Sequence, residues 1–271
     1  MLKGKKIGII GVGNIGSAII RGILGTAGRI PPKNIIVNDI DKKKSRAISR
    51  ELSVISVADN IELGRQAGII ILAAKPHDIE EILKDIADLQ SGKLIICIAA
   101  GIKTSYIEKM LPGQVAVVRA MPNMPALIGE GMTAISAGRF AGEEELQLTE
   151  AIFSAMGETV RISEDLMDTA TAVSGSGPAY FFLMMEALIE AGIAGGLSPQ
   201  VAHRLVIQTA YGAAKMTKES EKELFLLREE VTSPGGTTEA GVAILEKKRF
   251  KDILTEAVAA GAARSKKLSR K

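Results

Sequence analysis

The sequence has few of the side chains that carry most metal and nucleophile chemistry. Its 271 residues include one cysteine, two histidines and no tryptophan, and only 3% are aromatic. One cysteine forms no internal disulfide, which favours a reducing compartment, and His77 and His203 belong to no cluster with metal-ligand spacing. We therefore expect no bound metal, and we interpret Cys97, within an apolar run, as a buried thiol on a strand.

Neither sign of charge is in clear excess. The 34 basic and 31 acidic residues leave a formal net charge of +3, and the basic residues are spread along the chain. With few aromatic side chains available to stack on bases, this composition predicts no nucleic-acid partner. Five of the last eight residues are basic, which fits a solvated helix C-terminus.

Signals for secretion or membrane insertion are also missing. The sequence begins MLKGKK and passes directly into an apolar strand, without the longer apolar core and cleavage site of a signal peptide. The longest apolar stretch, residues 178–197, is interrupted by Glu186 and Glu190, so we interpret it as a buried helix rather than a membrane span. We expect a cytoplasmic protein with no membrane partner.

Short apolar runs alternate with helical patterns over the first 162 residues. Strands are predicted at residues 6–10, 35–38, 69–74, 94–99 and 115–120, with weaker candidates at 133–137 and 159–162. Continuous β-branched runs suit parallel strands covered on both faces, and the alternation implies right-handed crossovers. The predicted fold class is therefore an α/β, Rossmann-like, doubly wound sheet.

Helical patterns replace strands beyond residue 163, which predicts a sheet domain at 1–162 and an all-α domain at 163–271. Six helices are expected there, and three long ones carry few charges and many small residues. Their apolar faces could be buried against the sheet domain or against a second copy of the chain. We favour the second copy, and hence a homodimer formed through the helical domain.

A glycine-rich turn after the first strand is the first candidate binding site. It follows a strand, opens a helix and consists of Gly11, Val12, Gly13, Asn14, Ile15 and Gly16. In a GxGxxG of this kind the first glycine allows a tight turn, the second lets the backbone approach a pyrophosphate, and the third lets helix pack on strand. With a second strand at the expected spacing, the pattern predicts a dinucleotide bound at the helix N-terminus. A glycine-rich turn without a ligand is the alternative.

The end of the second strand bears on which dinucleotide is used. Asp39 lies 23 residues after Gly16, where an acidic side chain accepts hydrogen bonds from the ribose hydroxyls of NAD and repels the extra phosphate of NADP. Three lysines follow, Lys42, Lys43 and Lys44, which could pair with that phosphate and so favour NADP. We interpret them instead as a solvated helix face. We expect NADH or NADPH as the cofactor, with a preference for NADH.

Three later strand ends carry small or rigid residues. They are Ala73, Ala74, Lys75 and Pro76, then Ala99, Ala100 and Gly101, and finally residues 121–125, which include two prolines. Open α/β sheets bind ligands at the carboxyl ends of their strands. These segments therefore predict a floor beneath a flat nicotinamide ring.

Two segments of the helical part resemble binding loops. Residues 174–178 read SGSGP and residues 232–238 read TSPGGTT. The second brings Ser233, Gly236, Thr237 and Thr238 to the start of a helix, where hydroxyl groups, N–H groups and the helix dipole can receive a carboxylate. A long helix cap preceded by a turn is the alternative.

Six segments together resemble a single family. They read GVGNIGSAI, AAKP, IAAG, RAMPNMPAL, AVSGSGPAYFF and VTSPGGTTEAG, and the resemblance covers nearly the whole chain, from Ile7 to the final helix. In order and spacing they look like pyrroline-5-carboxylate reductase. SGSGPAY and TSPGGTT are quite specific to that family, whereas the glycine fingerprint is shared with many dehydrogenases.

The resemblance implies an NAD(P)-dependent oxidoreductase acting on an imine. The family transfers a hydride from NADH or NADPH to 1-pyrroline-5-carboxylate and so forms L-proline, the last step of proline biosynthesis. Its helical domains interlock in dimers, which often assemble into decamers. The active site is then expected where a helical domain meets a sheet domain, either of the same chain or of the partner.

Site residues carried over from the family fall into two groups. The cofactor group consists of Val12, Asn14, Asp39, Asn60, Ala74, Lys75 and Ala100. The substrate group consists of Glu164, Thr237 and Thr238, with Ser233 and Gly236 near the carboxylate and with the Thr238 hydroxyl hydrogen-bonded to the ring nitrogen as the catalytic group. Family members that favour NADPH tend to have a small hydroxylated residue in place of Asp39, which leaves the preferred cofactor open.

Two other functions remain as alternatives. A β-hydroxyacid dehydrogenase would need a lysine base shortly after the SGSGP turn, and residues 178–182 contain none. Tyr211 and Lys215 imitate the tyrosine–lysine pair of short-chain dehydrogenases, but we interpret them as packing and a surface lysine. A non-catalytic redox sensor that only binds the dinucleotide differs from an enzyme by its lack of turnover with an imine.

Overall fold

The computed structural model describes residues 2–25, 30–88 and 92–268, and within them lies one eight-stranded sheet. Its strands are β1 (Ile7–Ile10), β2 (Ile35–Asn38), β3 (Ile55–Ser56), β4 (Ile69–Leu72), β5 (Leu94–Cys97), β6 (Ala116–Pro122), β7 (Gly131–Ala137) and β8 (Gly157–Arg161). They are arranged in the order β3-β2-β1-β4-β5-β6-β7-β8. The order reverses between β1 and β4, which creates the crevice where doubly wound sheets bind ligands.

Twelve α-helices occur in the described residues. They are α1 (Asn14–Gly25), α2 (Lys42–Leu52), α3 (Asn60–Gln66), α4 (Ile79–Asp85), α5 (Thr104–Met110), α6 (Glu143–Phe153), α7 (Met167–Ala170), α8 (Gly177–Ala194), α9 (Pro199–Glu219), α10 (Leu224–Glu230), α11 (Thr237–Lys247) and α12 (Phe250–Leu268). The helical patterns at residues 42–52 and from 250 to about 268 match α2 and α12. The pattern at residues 221–230 predicts a helix that begins three residues before α10 does, at Leu224.

The central strands are buried on both faces. Ile69 and Ile71 of β4 join an apolar cluster with α1 and α6, whereas Ile70 and Leu72 join a second cluster with α3, α4 and α5. This alternation explains why these strands read as continuous apolar runs rather than as alternating patterns. The predicted α/β, doubly wound fold class is confirmed.

One strand pair departs from the parallel pattern. β6 and β7 are antiparallel, whereas the other strand pairs described are parallel. Only residues 123–130 connect β6 to β7, including a 3₁₀ turn at Met124–Ile128, and that is too short for a parallel crossover. β3, which sequence patterns did not predict, has only two residues at the sheet edge and so gives no periodic signal.

Cys97 ends β5 and is fully buried. Burial raises the pKa of its thiol to about 12, since a thiolate would be desolvated there. The prediction of a buried thiol on a strand is confirmed.

The chain forms two compact units. The first contains the described residues of Met1–Ser176 and Ala260–Lys271, and the second contains Gly177–Ala259. All eight strands belong to the first unit, and the last ends at Arg161. The division into domains at 1–162 and 163–271 stays a prediction.

The helices of the second unit keep much of their apolar surface exposed. On α8 only Gly177 is buried, and Phe181 and Leu183 are 62% and 66% exposed. The expectation that residues 178–197 form a buried helix is therefore wrong for the single chain, where most of α8 is exposed. By length and composition alone the stretch Glu164–Ala194 is apolar enough to cross a membrane, a property that it shares with core helices of globular proteins.

Candidate active site

The glycine-rich turn after β1 has the geometry that its sequence predicted. Gly11 has φ +97°, and a Cβ there would lie 2.7–2.8 Å from backbone atoms of Ala73 and Ala74. A Cβ at Gly16 would lie 2.1 Å from the Gly11 carbonyl oxygen. A Cβ at Gly13 would meet no atom within 4 Å. The turn is thus closed on its sheet side and open at Gly13, beside the N-terminus of α1, where a pyrophosphate could approach the backbone.

A cleft of about 730 Å³ lies at the carboxyl ends of β1, β2, β4 and β5, all within the first unit. The predicted cofactor residues that line it are Gly11, Gly13, Asn14, Ile15, Asp39, Asn60, Ala73, Ala74, Lys75, Pro76, Ala99 and Ala100. Val12, Gly16 and Gly101 are not among its lining residues. Residues from five separate chain segments therefore meet around one space, and that space fits an extended dinucleotide.

Asp39 has a structural role beside its predicted binding role. Its side chain is 8% exposed; Oδ2 accepts the Val12 N–H at 2.8 Å and Oδ1 accepts the Asp41 N–H at 2.8 Å. The carboxylate thereby ties the glycine-rich turn to the end of β2. Each carboxylate oxygen has a second lone pair that can accept a ribose hydroxyl. The hydrogen bond to the ribose stays a prediction.

Sequence reasoning missed a polar chain on the β2 side of the cleft. Lys42 Nζ donates to Asn38 Oδ1 at 2.5 Å, Asn38 Nδ2 donates to Asn60 Oδ1 at 2.6 Å, and Asn60 Nδ2 donates to Asp85 Oδ2 at 2.8 Å. Ile40, 90% exposed, stands on the same rim. Asn38 and Ile40 are the sequence neighbours of Asp39, and this adjacency is the sequence signal that could have indicated them.

The interpretation of the three lysines as a solvated helix face is wrong for Lys42. Its side chain is partly buried and turns into the cleft toward Asn38, because the first turn of α2 lies directly above the end of β2. Lys44 is exposed but also lines the cleft, whereas Lys43 does not. Two cations therefore share this part of the cleft with Asp39.

The predicted carboxylate receptor lies in the second unit. Gly236 is the N-cap of α11, and Thr237 and Thr238 are its first two residues. Gly235 has φ +73° and donates its N–H to Glu239 Oε2 at 2.7 Å, which fixes the turn that begins at Ser233. The N–H groups of a first helical turn have no partner within the helix, so hydroxyls and N–H donors converge at this helix end.

Glu164 belongs to the first unit and is engaged there. Its Oε1 accepts the Thr104 N–H at 2.8 Å, its Oε2 accepts the Thr104 hydroxyl at 2.7 Å, and Arg119 Nη1 lies 3.6 Å from Oε1. Thr104 is the first residue of α5, so Glu164 caps that helix from 60 positions away. The proposed contact of Glu164 with the substrate stays a prediction.

Two of the loops singled out in the sequence contact each other. Asn123 Nδ2 lies 3.3 Å from both the carbonyl and the hydroxyl oxygen of Ser174, and Asn123 Oδ1 accepts the Met132 N–H at 2.9 Å. The turn after β6 is thus joined to the SGSGP segment, which sequence distance alone would not reveal.

Comparison with known proteins identifies the family. A family model described as pyrroline-5-carboxylate reductase dimerisation matches residues 164–268, and one described as NADP oxidoreductase coenzyme F420-dependent matches residues 6–101. A pyrroline-5-carboxylate reductase of Synechocystis is 40% identical over 266 residues, which are 98% of this chain and 99% of the relative. The chain belongs to the pyrroline-5-carboxylate reductase family.

Solved structures agree with this assignment. A pyrroline-5-carboxylate reductase of Coxiella burnetii has a TM-score of 0.92 at 36% identity, covering 98% of this chain and 99% of that one. A pyrroline carboxylate reductase of Plasmodium falciparum, solved with NADP bound, has a TM-score of 0.88 at 34% identity, covering 99% and 100%. The predictions of family, fold and reductase function are confirmed, and the two alternative functions are not favoured.

Proposed function

We propose that this pyrroline-5-carboxylate reductase reduces 1-pyrroline-5-carboxylate to L-proline, with NADH preferred over NADPH and with Thr238 as the catalytic residue. The observation that carries the proposal is the cleft of the first unit, which is open to a ligand at Gly13. The chain that forms this cleft is related to pyrroline-5-carboxylate reductases over nearly its full length. The bound dinucleotide supplies the hydride.

The cleft residues bind and orient the cofactor. The N–H groups at the start of α1, next to Gly13, suit the pyrophosphate, because a helix N-terminus favours negative charge. Ala73, Ala74, Ala99 and Ala100 offer a floor of small side chains on which a flat nicotinamide ring can lie. The main contribution of these residues is orientation, which can supply a large part of a rate enhancement.

Asp39 supports the preference for NADH. Its buried carboxylate would accept from the ribose hydroxyls and would repel a phosphate in the same place. Lys42 and Lys44 line the same region and oppose this effect. Because two backbone N–H groups hold the Asp39 carboxylate in place, we expect it to act on the ribose of the cofactor more strongly than the ammonium groups of Lys42 and Lys44 do.

Thr238 and its neighbours act on the substrate. An imine nitrogen is basic and can arrive protonated, so reduction needs little further acid–base help. The Thr238 hydroxyl would hydrogen-bond the ring nitrogen as it changes from a planar iminium to a tetrahedral amine. Thr237, Ser233 and Gly236 would hold the carboxylate with hydroxyl and N–H donors, and Glu164 would contact the substrate.

The assembly follows from the dimerisation match and the exposed apolar helices. We propose a homodimer formed through the helical region, which can assemble further into a decamer, in the cytoplasm and without nucleic acid or membrane as a partner. Large exposed apolar residues on α8 and α9 are the surface that a second copy would cover.

The test is a single assay of purified protein with 1-pyrroline-5-carboxylate and each cofactor in turn. Oxidation of the reduced nicotinamide should require the imine, and proline should form in equal amount. Folded protein that oxidises neither NADH nor NADPH in the presence of the imine would refute the proposed function.

A further inference from the structure

The turn that follows β5 is part of the cleft wall and is touched by the end of the chain's last helix. Ala99 and Ala100 line the cleft, and Gly101 follows with φ +79°. A Cβ at Gly101 would lie 3.0–3.2 Å from backbone and Cβ atoms of Leu268, the last residue of α12. The last turn of α12 therefore lies directly against this turn, within the first unit.

A buried polar side chain attaches α12 at this position. Ser265 is the one buried residue of α12 in the described chain, at 6% exposure, and its hydroxyl donates to Asp168 Oδ1 at 2.6 Å. Asp168 Oδ1 in turn lies 3.9 Å from Nη2 of Arg119, which is 3% exposed on β6. The Ser265 hydroxyl therefore attaches the end of α12 to the buried charges around Arg119, beside the contact that Leu268 makes with the turn.

The other side of the turn leads back to the same arginine. Arg119 Nη1 lies 3.6 Å from Glu164, and Glu164 binds both the N–H and the hydroxyl of Thr104, three residues after Gly101. Arg119 Nη2 has no hydrogen-bond partner among the described residues, so the guanidinium depends on the charges of Glu164 and Asp168. The turn is thus bracketed by two attachments that share Arg119.

We propose that Ser265 is a positioning residue for the cofactor: by holding the last turn of α12 against Gly101, it fixes the Ala99–Ala100 wall of the cleft. The inference rests on the proposed function, because it takes that wall to contact the nicotinamide half of the dinucleotide. Buried hydrogen bonds hold such walls to within fractions of an ångström, and loss of a supporting bond weakens binding without removing any group that reacts.

The experiment compares Ser265→Ala with Ser265→Thr and with Thr255→Ala, in the full-length protein. Thr255 lies on α12 and donates only to the Lys251 carbonyl of its own helix, so it is the matched control. Fluorescence titration with NADH and steady-state kinetics should give a Kd and a cofactor KM raised about three- to tenfold in Ser265→Ala, with kcat within about twofold. Ser265→Thr keeps the hydroxyl and should restore binding, and Thr255→Ala should match the wild type.

A second measurement does not depend on any ligand. Amide hydrogen exchange at residues 98–103 of the free protein should be faster in Ser265→Ala and unchanged in Thr255→Ala. If Ser265→Ala folds poorly, Ser265→Cys, with similar volume and a weaker donor, should give an intermediate shift in both measurements. The proposal would be overturned by unchanged exchange or an unchanged Kd in Ser265→Ala, or by a fall in kcat as large as the rise in KM for the cofactor and for the imine. A wild type that binds no dinucleotide would instead refute the proposed function.

Discussion

Replacing Asp39 by serine tests the cofactor preference and the turn geometry together. The change removes a buried negative charge from the cleft beside Lys42 and Lys44. Two unit charges about 7 Å apart, at an effective dielectric constant of about 20 to 40, interact by about 1–2.5 kcal/mol. A phosphate carries more than one charge, so we expect the ratio of kcat/KM for NADPH to that for NADH to rise by about 5- to 150-fold.

The same substitution has a second, separable effect on stability. Asp39 accepts two backbone N–H groups at 2.8 Å, from Val12 and from Asp41, and serine can reach at most one of them. Hydrogen bonds to a charged group contribute about 1.5–3 kcal/mol each, so a net loss of about 1–3 kcal/mol should lower Tm by about 3–10 °C. Thermal unfolding without ligand measures this effect apart from cofactor selectivity.

The matched control is Asp59→Ser. Asp59 also lines the cleft, but it is exposed and caps α3 through the Glu62 N–H, a role that serine can take over. Its charge is screened by solvent, so the cofactor ratio should change less than about twofold. Asp39→Ser without a rise in the ratio, or a wild type that favours NADPH by more than about tenfold, would show that the lysines outweigh Asp39.

Outcomes are also expected for five further variants. Thr238→Ala should lower kcat about tenfold or more while cofactor Kd stays unchanged, and Thr237→Ala should act mainly on substrate KM; an unchanged kcat in Thr238→Ala would mean that the hydroxyl is only part of a helix cap. Phe181→Glu should shift the proposed homodimer toward monomer in light scattering, because it places a charge on the exposed face of α8. Glu164→Gln should reduce the free energy of unfolding in urea by about 2–4 kcal/mol, as it leaves the buried Arg119 less compensated. Gly16→Ala should abolish dinucleotide binding in a titration, since its Cβ would meet the Gly11 carbonyl oxygen at 2.1 Å.

The sequence alone determined those features that depend on neighbouring residues. The strand Ile35–Asn38 was predicted at its observed bounds, because burial on both faces gives a continuous apolar run. The polar-faced helical pattern at residues 42–52 matches the helix Lys42–Leu52, and the structure shows that Asp41 caps it. The glycine-rich turn was predictable because its GxGxxG follows a strand and opens a helix, and Gly11 has a φ of +97°, which favours glycine. The family segments were also readable in order, and the roles they assign to Thr238 and its neighbours stay predictions.

Only the tertiary structure decided which distant groups meet. Glu164 caps α5 across 60 positions, Ser265 reaches Asp168 across 97, and Asn123 contacts the SGSGP segment. The pairing of β7 antiparallel to β6 and parallel to β8 was also decided at this level. Local patterns fix secondary structure through contacts a few residues apart, whereas these pairings depend on strand order and on which helix covers which strand end, and no periodicity in the sequence encodes that.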